Sequence, residues 1–223
     1  MCSCAHARVP CVIIASAMSV AASLSRSRMR HTISQRAAFA GALLLTVCAL
    51  AGAQDMPAPA DDPFAARRWH VEAGLHGAIE AWNYNVSHEE MYGLVEGLTY
   101  GLKDGLVLTM NQHIYYVSQR ANDSWLLGLT FGFRGRVYRR GRSSVFLEGA
   151  LGISDAAIAA PPRGTRFNYL AMGSGGVLVR LRRRVHAVAA LQWIHVSNNS
   201  LKGAGRNPDI EAVGPRLGVV LGF

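Results

Sequence analysis

The segment His195-Val196-Ser197-Asn198 places an imidazole and a hydroxyl two residues apart. On an extended strand, side chains at i and i+2 point the same way, so the two groups can approach each other without help from a loop. An imidazole beside a hydroxyl is the elementary unit of nucleophilic acyl transfer: the ring takes the hydroxyl proton as the oxygen attacks a carbonyl carbon. A carboxylate completes the unit by orienting the ring and stabilising the imidazolium. Glu211 is the first candidate, because it opens the next alternating segment at an odd position, like His195 and Ser197. An antiparallel neighbour brings it beside the top of the strand that carries His195.

Such a site needs strands to hold it. Upstream of His195, the odd positions Val185, Ala187, Ala189, Leu191 and Trp193 form an apolar row that runs straight into His195 and Ser197. Both polar side chains are therefore expected on an outward, lipid-facing wall. From Trp69 to Phe223 there is no sustained 3.6-residue pattern; Gly- and aromatic-rich alternating segments are separated by turn signals instead. Eight strands are predicted near 70–84, 91–103, 105–117, 124–138, 143–154, 168–180, 184–198 and 211–223. The connections at 103–105, 139–142 and 181–183 are tight, whereas those at 85–90, 118–123, 155–167 and 199–210 are longer. Short turns on one rim and long loops on the other characterise an outer-membrane barrel. The predicted fold class is all-β, an eight-stranded antiparallel transmembrane β-barrel over residues 69–223.

The clearest faces support this. In 124–138, Trp125, Leu127, Leu129, Phe131 and Phe133 alternate with Gly128, Thr130, Gly132, Arg134 and Arg136. In 143–154, Val145, Leu147, Leu151 and Ile153 oppose Ser144 and Glu148, so Arg134, Arg136 and Glu148 are expected to meet in the lumen. The last strand puts Val213, Leu217, Val219, Leu221 and the terminal Phe223 on one face. A terminal aromatic on an alternating strand resembles the recognition signal of bacterial outer-membrane barrels. The segments 91–103 and 105–117 carry Glu96, Asn111, Gln112 and His113, which alternation alone does not assign to a face. Bulky faces pointing inward together would instead make a soluble, lipocalin-like carrier.

The first quarter of the chain reads differently. Basic residues 29–36, an apolar run from Ala37 to Leu50 and the small residues Ala51-Gly52-Ala53 have the form of a cleaved export signal. Residues 1–53 are assigned to it, with 1–28 read as an extension from a start placed too early, and 54–68, containing Pro57, Pro59 and Pro63, as a flexible lead-in. All four cysteines, Cys2, Cys4, Cys11 and Cys48, precede the cut, which leaves a mature protein without disulfide or thiolate metal site. Thr46-Val47 before Cys48 is a poor match to a lipid-attachment signal. The formal charge of +9 also shrinks, because Arg8, Arg26, Arg28, Arg30 and Arg36 leave with a leader that holds no acid. An exported, modestly basic chain with scattered arginines and no nucleic-acid motif argues against DNA or RNA as partner.

The C-terminal pattern His195-Val196-Ser197-Asn198, with Leu201 and then Asn207-Pro208-Asp209-Ile210-Glu211, resembles the lipid A 3-O-deacylase (PagL) family. The stretch 164–169 is similar to a segment of that family too. The resemblance implies a barrel that removes the ester-linked acyl chain at the 3-position of lipid A, with Ser197 as nucleophile, His195 as general base and Glu211 as orienting acid. Asn198 and Asn207 match polar positions assigned to site shaping or the oxyanion hole. The spacing from Leu201 to Asn207 is longer than the family's, which keeps Asp209 open as the acid. Lys202 and Arg206 in the same loop can pair with lipid A phosphates. No cofactor or metal is implied. The expected location is the outer membrane of a Gram-negative cell, and the expected partners are lipopolysaccharide, outer-membrane lipids and the barrel-assembly machinery, with a homodimer left open.

Against this stands the ordinary role of a His and a Ser near a strand end, as rim residues of a non-catalytic structural or adhesion barrel. His70, His76, His88, His113 and His186 show no paired ligand spacing and are expected in the lumen or loops, and Trp69, Trp82, Trp125 and Trp193 in the interfacial girdle or core.

Overall fold

A computed structural model describes residues 61–82, 88–120, 122–201, 203 and 207–223. The expected leader, residues 54–60, Lys202 and Arg206 lie outside them. Eight strands follow one another: β1 (Trp69–Glu80), β2 (Glu90–Lys103), β3 (Leu106–Ser118), β4 (Ser124–Arg140), β5 (Ser143–Ala156), β6 (Phe167–Arg180), β7 (Val185–Ser197) and β8 (Ile210–Gly222). Each pairs antiparallel with the next, and β8 closes on β1. Closure leaves no unpaired edge, and the backbone groups of the wall pair across ladders, with one interruption in the β1–β8 register between His76 and Ile79.

Alternation sorts the side chains as expected, bulky and apolar outward, polar or small inward. Leu75, Phe131, Leu147, Leu151, Leu191 and Leu217 are all exposed on the outer wall, Leu151 to 70%. That is the reverse of a lipocalin-like soluble barrel. Aromatic pairs mark both ends of the wall: Trp69 and Tyr100 (centroids 4.7 Å apart) near the short turns, Tyr116 and Trp125 (5.4 Å) near the long loops.

The lumen is filled in three layers. Beneath the long loops lie Met91, Tyr115, Leu126, Leu170, Ile194 and Ile210. In the middle, Arg134 contacts Glu72 and Glu148 at 2.8 Å each, and Arg216 contacts Glu72 and, at 3.2 Å, Glu148. Two guanidinium groups and two carboxylates thus compensate one another where water is excluded. At the short-turn end Phe146, Leu178, Val188 and Val220 form a second apolar layer. Eight strands leave no more room than side chains occupy, so this is a packed interior rather than a pore.

Two expectations need correction. Arg136 does not join Arg134 and Glu148; a register shift between Arg136 and Tyr138 turns the end of β4, and Arg136 instead holds Asp62 through contacts of 2.8 and 2.9 Å. Residues 61–68 are likewise not a free lead-in: Phe64 is fully buried against the lower layer, 5.1 Å beneath the Arg136 guanidinium, and Asp61 accepts a 2.8 Å hydrogen bond from His70. The segment stoppers the short-turn mouth. The unassigned residues of β2 and β3 also resolve: Asn111 and His113 are buried in the lumen, while Glu96 and Gln112 are cross-strand neighbours on the outer face.

Candidate functional site

His195 and Ser197 sit at the last turnward positions of β7, on the outward face and at the long-loop rim. The register pairs His195 with Glu211 of β8, and the carboxylate Oε1 lies 3.0 Å from the ring Nδ1. The sequence-level candidate thus meets the imidazole by direct strand pairing. Asp209 is exposed and makes no hydrogen bond to the ring among the described residues.

Glu211 is held from several sides. Its Oε2 accepts hydrogen bonds from the indole of Trp82 at 2.8 Å and that of Trp193 at 3.1 Å. Its backbone N–H donates to the buried Glu80 carboxylate at 2.8 Å, and its carbonyl accepts from Ala81 at 2.7 Å. The Trp193 ring also stacks on His195, with centroids 5.9 Å apart and planes inclined by 22°. One carboxylate oxygen is therefore fixed by two neutral donors, leaving the other for the imidazole. With Nδ1 so engaged, Nε2 is the ring nitrogen that remains for proton transfer.

Ligand atoms of His195, Asp209 and Glu211 lie within 4.8 Å of one another, the spacing of a cation site. Glu211 already accepts from three side-chain donors, which fits a hydrogen-bonded carboxylate better than a metal ligand.

Ser197 is two residues from His195, yet its hydroxyl turns elsewhere. It donates to Asn207 Oδ1 at 2.9 Å and accepts from the Asn199 amide at 3.1 Å. No hydrogen bond joins it to His195 among the described residues. The cause is the turn after β7, where Asn199 and Ser200 adopt positive φ values of 50° and 60° and fold the chain back over the hydroxyl. Asn207 Oδ1 also accepts from the Asn198 N–H at 3.1 Å. With Oδ1 taken by these two contacts, the amide nitrogen is the remaining donor of the Asn207 side chain.

Asn198 meets Asn207 through its backbone N–H. It follows Ser197 directly, so alternation sends its side chain inward, where it is 1% exposed. Trp82, Trp193 and Glu80 were not among the sequence candidates. Trp193 shares the face of His195 at i−2, a signal that was present; Trp82 and Glu211 are 129 residues apart, and only barrel closure brings them together.

No protein-family model matches the chain. No curated protein matches it either. Solved structures do match. Neisserial surface protein A is 12% identical with a TM-score of 0.54, over 70% of this chain and 97% of that one. OprG from Pseudomonas aeruginosa is 12% identical with a TM-score of 0.49, over 73% of this chain and 99% of that one. At such identities the likeness establishes architecture: the chain folds as a small eight-stranded barrel of the kind found among outer-membrane proteins.

Proposed function

We propose that the chain is an outer-membrane ester hydrolase acting on the 3-position acyl ester of lipid A, with Ser197, His195 and Glu211 as its triad. The observation that carries this reading is the 3.0 Å pairing of His195 Nδ1 with Glu211 on the outer wall, with Ser197 two residues along the same face. An ester lying just below the headgroups is reached from the wall and not from a filled lumen. The apolar exterior supports placement in a lipid bilayer, and the long-loop rim is where an outer leaflet would meet the site.

In this mechanism the Ser197 side chain rotates from Asn207 toward His195 once the substrate arrives. Catalytic hydrogen bonds are often loose before substrate binds. Nε2 of His195 takes the hydroxyl proton as Oγ bonds to the ester carbon. Glu211 stays ionised and stabilises the imidazolium through Nδ1. The Asn207 side-chain amide and nearby backbone N–H groups stabilise the oxyanion. Collapse breaks the bond to the sugar oxygen, which leaves with the proton from His195, and an acyl-serine remains. His195 then deprotonates water, whose attack on the acyl-serine frees the fatty acid and restores Ser197.

A second reading, a non-catalytic barrel, draws on the engagement of Ser197 by Asn207 rather than His195. Mass spectrometry of lipid A from outer membranes carrying wild type, Ser197→Ala or His195→Asn separates the two, with folding checked by heat-modifiable gel mobility. Loss of one 3-hydroxyacyl chain with wild type alone is expected. Unchanged lipid A with folded wild type, in membranes and in detergent, would favour the non-catalytic barrel.

A further inference from the structure

The end of the barrel opposite His195 carries a second concentration of chemistry. A shallow recess of about 20 Å³, open to solvent, lies between the 61–63 segment and the ends of β4 to β7; Arg139, Arg142, Arg180, Ser144 and His186 line it. Asp61 and Asp62 line it as well, but both are matched within the protein: Asp61 by His70 at 2.8 Å, Asp62 by Arg136 at 2.8 Å and Arg139 at 2.9 Å. Arg142 and Arg180 are not. They are held side by side by a 2.8 Å backbone hydrogen bond from Arg180 N–H to the Arg142 carbonyl, and neither has an ion pair among the described residues. His186, 2% exposed, also lines the recess, and its buried Nδ1 has no hydrogen-bond partner among the described residues.

Two guanidinium groups without an ion pair, a hydroxyl and an adjoining imidazole complement a ligand with several negatively charged oxygens. Arginine forks match phosphate geometry in particular. The surroundings narrow the choice. Arg67, Arg68, Lys103, Arg140, Arg182 and Arg183 are exposed around this rim, against Asp104 as the exposed carboxylate of the adjoining turn. Beside them on the outer wall, Val137, Tyr138 and Leu181 are more than half exposed, apolar surface for hydrocarbon. A cationic recess at headgroup level next to an apolar wall is suited to an amphiphile with an anionic head.

We infer that Arg142, Arg180, Ser144 and His186 form a binding site for the phosphate of an anionic glycerophospholipid in the leaflet that surrounds the short turns. This assignment rests on the barrel and its orientation and is independent of the ester hydrolase reading. The bound lipid would tie the 61–68 stopper and two turns to one headgroup.

The test is native mass spectrometry of the refolded protein in detergent, titrated with short-chain phosphatidylglycerol and with phosphatidylcholine of the same chain length. Phosphatidylcholine has the same phosphodiester but a compensating ammonium. Phosphatidylglycerol is expected to bind about tenfold more tightly, and Arg142→Gln/Arg180→Gln to erase that preference. Arg182→Gln/Arg183→Gln, which alters the exposed rim but not the recess, is expected to change it by less than about twofold. Should the first pair fail to fold, Arg142→Gln alone, in an exposed turn, is expected to weaken the preference measurably. Equal binding of the two lipids, or equal loss in both double variants, would overturn the site. Inorganic phosphate binding as tightly as phosphatidylglycerol would assign the recess to a free anion and overturn the lipid.

Discussion

The indole of Trp82 donates a 2.8 Å hydrogen bond to Oε2 of Glu211, joining the loop after β1 to the start of β8. Trp193 donates to the same oxygen from β7, so two strands and a loop converge on one carboxylate. A carboxylate fixed in this way can hold an imidazole in a single orientation without reorganising as charge develops.

Removing either indole donor should loosen that orientation while leaving the wall intact. On the proposed activity, Trp82→Phe is expected to lower the deacylation rate about tenfold, in line with loss of one hydrogen bond to a charged group. Glu211→Gln is expected to lower it by more than about a hundredfold. Rates measured on lipopolysaccharide in detergent, with protein of verified gel mobility, check both. A Trp82→Phe rate equal to wild type would show that the indole bond has no part in the chemistry.

The luminal quartet predicts a large stability effect. Arg134 is 2% exposed and bonded to Glu148 at 3.0 and 2.8 Å. Arg134→Met leaves two carboxylates facing one guanidinium in a water-excluded space, at a cost of about 3–5 kcal/mol. Urea unfolding in lipid vesicles, followed by tryptophan fluorescence, gives the comparison. A midpoint unchanged from wild type would mean that water enters the lumen and screens the charge.

The stopper should be sensitive to acid. Burial by itself raises the Asp62 carboxyl, but the hydrogen bond from Arg136, the Phe64 amide and the charges of Arg136 and Arg139 together outweigh it and hold the group below its ordinary 3.8. A group depressed in the folded state contributes stability above its unfolded value and loses it as pH falls through the folded one. Asp62→Asn is therefore expected to be less stable than wild type near neutrality, with the gap closing below about pH 4. Proteolysis of the 61–68 segment at several pH values reads the same contact locally.

Glu96 gives the opposite sign. It lies on the outer face of β2, with Gln112 as its cross-strand neighbour in β3 and Ala73 in β1, midway along the wall. A carboxylate facing hydrocarbon is a cost, so Glu96→Leu is expected to stabilise the barrel in vesicles by about 1 kcal/mol. Loss of stability on that substitution would indicate that this part of the wall is covered by protein rather than lipid.

Alternation carried most of the architecture. β4, β5, β7 and β8 show it plainly because Phe131, Leu151, Leu191 and Leu217 need a different solvent from Arg134, Glu148, Gln192 and Arg216. β2 and β3 blurred it, since Glu96 and Gln112 put polar groups on the lipid side of the same strands that bury Asn111 and His113. Periodicity gives no purchase on residues 61–68, which pack through single anchors, Phe64 and Asp62, and not through a repeated face. At the site, parity alone brought His195, Ser197 and Glu211 to one wall. The capture of Ser197 by Asn207 was not legible, because it depends on two left-handed residues in a turn. Trp82 was hidden for a simpler reason: its partner is set by closure of β8 on β1.

That closure has a further consequence. Glu211 stands on the final strand, clasped between a neighbour from the chain's beginning and one from its end. His195 and Glu211 meet within the β7–β8 ladder, but the Trp82 and Glu80 contacts that fix the carboxylate exist only after the last seam of the cylinder has zipped. A chain with β8 not yet closed on β1 carries every reacting residue but lacks the two contacts that hold Glu211 from the far side of the seam. Closing the cylinder and bracing the carboxylate are thus one event, so the order in which the strands assemble is also the order in which the proposed site becomes rigid.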